Sequence, residues 1–196
     1  MIYNVRAPEM LPYFMALGSI PAFIFMPMVP AIKRAIGKKQ MFYVFLSVAI
    51  LGMALLYIIS VVPVLKTQIW LVFVAQFIKS TGVIIATGYM WALVPEVISY
   101  GEYTHGKRIS GIVNALTGIF YKREWLLEEL YRDLLWLLSD STDNEVSQSP
   151  FAEQGILWLV AVIPALLLLV AMFIISKYEL EDNVIDNINE EIESTL

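Results

Sequence analysis

Few residues in this chain can do chemistry, and most of them stand in apolar surroundings. Lys79 and Lys122 each place an ammonium group in or at the end of sequence otherwise suited to lipid. A charge there is costly and needs a partner or water, which marks a site. Asn114 and Thr117 precede Lys122 and offer an amide and a hydroxyl; interhelical hydrogen bonding accounts for them equally well. Trp91 presents an aromatic face, for stacking or for packing. Glu96, Tyr100, Glu102, Lys107 and Arg108 form a denser polar group, all within residues 96–108. These types suit binding and ion pairing rather than bond-breaking.

Catalysis and metal binding are disfavoured by what is missing. The sequence has no cysteine, so disulfides, thiolate metal sites and a cysteine nucleophile are excluded. His105 is the single histidine. There is no His-Glu-x-x-His and no Gly-x-Ser-x-Gly, and a membrane enzyme is set aside. We expect no resident cofactor, no metal site and no nucleic-acid partner. Hydrophobic residues make up 59% of the 196 and charged residues 16%, against about 25% charged in ordinary soluble domains. That shift points to the lipid bilayer as the main surrounding. The net charge of −5 arises mostly from the tail after Tyr178. "MIYNVRAPEM" lacks the basic start and apolar core of a signal peptide.

The elements that must position these residues are membrane helices, each needing about 20 mostly apolar residues. The expected fold is all-α, a polytopic helix bundle over 1–177 with an acidic cytoplasmic tail over 178–196. Spans are expected at about 10–32, which holds four prolines, then 41–62, 68–95 and 155–176. A defective one is expected at 109–138. The basic residues Lys33, Arg34, Lys38 and Lys39 put the first loop in the cytoplasm. Lys66 stands alone in the second loop, which lies outside, and Lys107 and Arg108 return the third inside. The C-terminus is then cytoplasmic in the intact topology. Lys79 stands mid-span, 17 residues from Glu96, or about 25 Å along one helix. No role is assigned to it.

The stretch 90–122, "MWALVPEVISYGEYTHGKRISGIVNALTGIFYK", carries a resemblance. Trp91-Ala92, Glu96, "YGEY" at 100–103, Gly-Lys-Arg at 106–108 and Lys122 occur in an order and spacing similar to the glycoside–pentoside–hexuronide:cation symporters. These include melibiose permease and belong to the major facilitator superfamily. "RAIGKK" in the preceding loop and "INEEIE" in the tail extend the match to most of the chain except 123–148. The resemblance implies the C-terminal half of a twelve-helix sugar carrier working by alternating access, with about five helices here, one of them defective. It implies a sugar or glycoside cargo, coupling to Na⁺ or H⁺, the inner membrane as location, and an N-terminal half not present in this sequence. That half holds the family's principal cation carboxylates, so transport by this chain alone is not expected. Lys122 matches the family's cavity lysine, with snorkelling as the alternative. Trp91, Asn114 and Thr117 become sugar-contact candidates. Glu96, Tyr100, Glu102, Lys107 and Arg108 become a cytoplasmic gate, with a solvated loop as the alternative. Ser99 departs from the pattern, since many relatives carry an acid there.

Residues 123–138 break the pattern. Six charges from Arg123 to Asp133, at about 2.5–3.5 kcal/mol each, outweigh seven leucines by roughly 10 kcal/mol. Residues 109–121 are apolar, but thirteen helical residues reach only about 20 Å, short of a core of about 30 Å. Shifting permitted codons by one base from Arg123 onward reads an apolar run rich in glycine and alanine, a good packing helix. We therefore read 123 to about 150 as a compensated frameshift. The competing reading is a small membrane interaction protein with an interfacial amphipathic helix at 123–138.

Overall fold

The computed structural model describes residues 7–106, 109–120, 122, 129 and 150–177. Among them are helices and turns, with no strand. Four helical stretches are long and apolar enough to cross a membrane: Leu11–Ile36, Lys38–Val61, Ile69–Thr104 and Glu153–Ser176.

Prolines set the shape of the first stretch. Helix α1 (Leu11–Phe25) begins with proline in its first turn and carries Pro21 inside. A 3₁₀ turn at Met26–Met28 then interrupts it, and α2 (Val29–Ile36) resumes with Pro30 in its own first turn. Each proline lacks an N–H and crowds the carbonyl four residues back, so Pro27 and Pro30 together prevent a continuous α-helix. The chain reverses at Gly37, whose φ of 79° is a conformation glycine adopts freely.

Helix α3 (Lys38–Val61) has 24 residues, about 36 Å, enough to cross. Val62 is extended, as expected before Pro63. One turn, α4 (Pro63–Lys66), leads to α5 (Ile69–His105). The last of these has 37 residues, about 55 Å. It runs well past the expected end near residue 95. Glu96, Tyr100 and Glu102 therefore stand on a helix and not in the loop assigned to them from sequence. Pro95 lies inside it without ending it, and Gly106, at φ 62°, closes it.

Helices α3 and α5 are antiparallel and nearly touch along their backbones. A Cβ on Gly52 would collide with the Lys79 backbone, and one on Gly82 with the Phe45 carbonyl and the Ala49 amide. In lipid the tails are as apolar as the side chains, so close packing rather than water exclusion drives association. Small residues at the crossing permit that closeness.

Two apolar clusters flank the crossing. Leu56, Ile59, Val72 and Ala75 pack with Phe14 of α1. At the other end, Met41, Phe42, Leu46, Ile85 and Tyr89 pack with residues of α2 and with Leu168, Met172 and Ile175. The last three belong to α8 (Ile163–Ser176), which follows α7 (Pro150–Leu157) and a π-helical turn at Trp158–Val162. Pro164 would crowd the carbonyl of residue 160 in a regular helix, and the wider turn relieves it. The turn and α8 border an apolar groove of about 380 Å³ against Met53, Tyr57 and their neighbours on α3. These contacts fix direction. Residues 161–169 share a groove with 50–58, and Leu168, Met172 and Ile175 pack on the cluster that holds Met41, Phe42 and Leu46, so α8 runs antiparallel to α3.

Helix α6 (Ser110–Phe120) is short, about 16 Å. Most of it is exposed, Ile112 and Phe120 at 65%. The charged segment expected to break this span lies outside the described residues, apart from Lys122 and Glu129.

Candidate functional site

The described ion pairs gather at one end of the bundle. Glu96, half-buried on α5, accepts hydrogen bonds from Lys38 Nζ at 2.5 Å and Lys33 Nζ at 3.4 Å. Lys38 begins α3 and is 5% exposed. A cation at a helix N-terminus is disfavoured by the helix dipole and by burial. The Glu96 carboxylate offsets both. Lys33, in the last turn of α2, also stands 5.6 Å from the centre of the Tyr89 ring. Tyr89 in turn packs on Phe42 at 5.4 Å between centroids. One carboxylate thus ties α2, α3 and α5 together through side chains alone.

Of the gate expected from sequence, the structure describes Glu96, Tyr100 and Glu102. Glu96 meets Lys33 and Lys38 of the preceding loop region. Lys107 and Arg108 lie outside the described residues. Tyr100 is exposed and Glu102 half-buried, about one and two turns beyond Glu96 on α5. Sequence reading used Lys33 and Lys38 only for orientation and missed them as partners. The signal was present: "RAIGKK" and Glu96 belong to the same resemblance.

The sugar-contact candidates are spread over two helices. Trp91 is on α5 and exposed. Asn114 on α6 and Lys122 just beyond it are exposed as well. Thr117 is half-buried and donates its hydroxyl to the Val113 carbonyl at 2.8 Å, within its own helix. Their exposure means that the described residues do not enclose them in a pocket.

A third polar group sits mid-bundle, and sequence reading named only one member. Gln76 and Ser80 are 6% and 7% exposed, and Lys79 between them is half-buried. Positions i, i+3 and i+4 share one side of a helical turn. Gly18 of α1 lies against this turn: a Cβ there would stand 2.7 Å from Gln76 Nε2 and 3.4 Å from Ser80 Oγ. Among the described residues Gln76 Oε1 has no hydrogen-bond partner. No group of histidine, cysteine or carboxylates among them is arranged to hold a metal ion.

Comparison with known proteins accords with this architecture. The chain is 33% identical over 192 residues to an uncharacterized symporter, YnaJ, of Bacillus subtilis, covering 98% of this chain and 40% of that protein. It is 31% identical to a glucuronide carrier protein homolog of Escherichia coli, over 86% of this chain and 35% of the relative. A putative 2,3-dihydroxypropane-1-sulfonate exporter of Escherichia coli is 27% identical, over 98% and 40%. The chain therefore spans well under half the length of these relatives. No solved structure matches it significantly. The family description "MFS/sugar transport protein" matches residues 1–182. A multi-pass helix bundle with that match across nearly its whole length belongs to the MFS/sugar transport protein family.

Proposed function

We propose that the chain is the C-terminal part of a sugar:cation symporter, completed by an N-terminal half and working by alternating access. It lies in the inner membrane with its basic end, Lys33 to Lys39, and its C-terminus in the cytoplasm. The cargo is a hydroxylated sugar or glycoside, coupled to Na⁺ or H⁺. Two relatives are named for hydroxylated cargoes, a glucuronide and a dihydroxypropane-sulfonate. The observation that carries the reading is the Glu96 clamp. It joins three elements at one end by bonds that can break and re-form as that end opens and closes. Trp91, Asn114, Thr117 and Lys122 face the cargo path that the second half encloses.

The test joins this chain to the portion of the Bacillus subtilis symporter that it does not cover. Counterflow of a radiolabelled glycoside is then measured in vesicles under a Na⁺ or a proton gradient. We expect gradient-dependent uptake that falls about tenfold in Glu96→Gln, equivalent to about 1.4 kcal/mol. Correctly inserted protein with no uptake under either gradient would refute the transport reading.

A further inference from the structure

Lys79 carries the one charge of the mid-bundle turn, and no carboxylate among the described residues answers it. It lies ten residues into α5 and 17 before Glu96, about 15 and 25 Å along the helix. Gly52, opposite its backbone, is likewise central in α3. The described carboxylates are Glu9, Glu96, Glu102, Glu129 and Glu153; none belongs to the middle of a span, and Glu96 is already held by two lysines. No ion pair or hydrogen bond reaches Lys79 among the described residues. An intramembrane ammonium with no local partner is expensive to keep and marks a ligand position.

A second observation points the same way. Gln76, one turn earlier on the same side of α5, is nearly fully buried and its carbonyl oxygen lacks a donor. An unmet buried acceptor is costly, because it has given up its hydrogen bond to water. Ser80 completes the set with a hydroxyl. The turn therefore combines one lysine amine, donors from an amide and a hydroxyl, and an acceptor awaiting a donor. A ligand that satisfies all of them carries a negative group and at least one hydroxyl.

We propose that Lys79, Gln76 and Ser80 form an intramembrane subsite for the acid group and an adjacent hydroxyl of an anionic sugar-like cargo. The proposal rests on the transport reading above and narrows its cargo to hydroxylated organic acids. Helix α1 covers the subsite in this conformation, with Gly18 against the amide. Its interruption at Met26–Met28 supplies the joint by which it can move aside. Broken helices beside a midplane site are a recurring arrangement in secondary transporters.

The test is calorimetric titration, in detergent, of this chain joined to the portion of the Bacillus subtilis symporter that it does not cover, with methyl β-D-glucuronide and with methyl β-D-glucoside. The two differ only by oxidation at one carbon. The glucuronide is expected to bind roughly tenfold or more tightly than the glucoside, the range for a charge-assisted hydrogen bond. Lys79→Gln removes the preference and Lys79→Arg keeps it, both eluting as monodisperse protein. Equal affinities in the unsubstituted chain would overturn the acid subsite and leave sugar binding standing. Binding of neither compound would overturn both readings. A preference that survives Lys79→Gln would remove Lys79 from the assignment. A raised thermal midpoint in Lys79→Gln, with no change in preference, would overturn it in favour of a carboxylate on another membrane helix as the partner.

Discussion

At the residue scale, the consequences of substitution follow from burial rather than from charge count. Glu96→Gln takes the carboxylate away from buried Lys38, and breaking such a pair costs about 3 kcal/mol. Lys33→Gln removes the longer contact from a side chain that is 29% exposed, and costs under about 1 kcal/mol. Exchanging Lys38 and Glu96 together for Met and Leu recovers most of the loss, because no orphaned charge remains. Thermal midpoints of the three purified variants in one detergent check this order. A Glu96→Gln protein no less stable than Lys33→Gln would show that Lys38 finds another partner.

At the element scale, the α3–α5 crossing is the firmest contact and the least tolerant of added atoms. Gly52→Leu and Gly82→Val each force a side chain into the partner's backbone, which cannot yield as a flexible side chain would. Overpacking typically costs about 1–3 kcal/mol, and these two substitutions belong at or beyond the upper end. Gly111 and Gly118 on α6 meet nothing within 4 Å. Gly118→Ala should therefore stabilise α6 by roughly 0.5–1 kcal/mol through lower backbone entropy. Circular dichroism melts of the three variants should separate them into two losses and one neutral or positive change. A destabilising Gly118→Ala would mean that a helix packs on that face.

At the scale of the whole molecule, the direction of α8 sets a condition on everything between it and α5. Helix α5 ends beyond the Lys38 end of α3, whereas α8 begins beside Tyr57, near the opposite end. Those two ends lie on opposite sides of the bundle, a crossing of about 30 Å of which the described α6 covers only about 16 Å. The absence of cysteine gives a clean background for mapping this crossing. Single cysteines at Arg34 and Lys177 should react with a membrane-impermeant maleimide from the same face. Reaction from opposite faces would mean that α8 is reversed and the segment after α6 fails to cross. Sequencing the gene through codons 119–150 addresses the frameshift reading, which falls outside the described residues. A frame restored to apolar codons should raise the yield of inserted protein.

Sequence by itself determined the membrane class, the apolar runs of four spans, and the family, though not the continuation of the third span to His105. Long apolar runs, prolines and basic loops are local properties, and lipid imposes one length on every helix that crosses it. It also placed Glu96 among the ions of interest and Lys79 among the residues needing a partner. Only the tertiary structure decided which partners exist. Lys33 and Lys38 lie about sixty positions from Glu96, and nothing local pairs them. The Gly52 and Gly82 contacts bring α3 and α5 into antiparallel register, and that register carries the two basic residues to the carboxylate. The same packing buries Gln76 and Ser80 under Gly18, while no carboxylate among the described residues meets Lys79. The continuation of α5 past Pro95 was equally hidden, because one proline is a breaker in local terms and is outweighed when the helix on both sides is held by its neighbours.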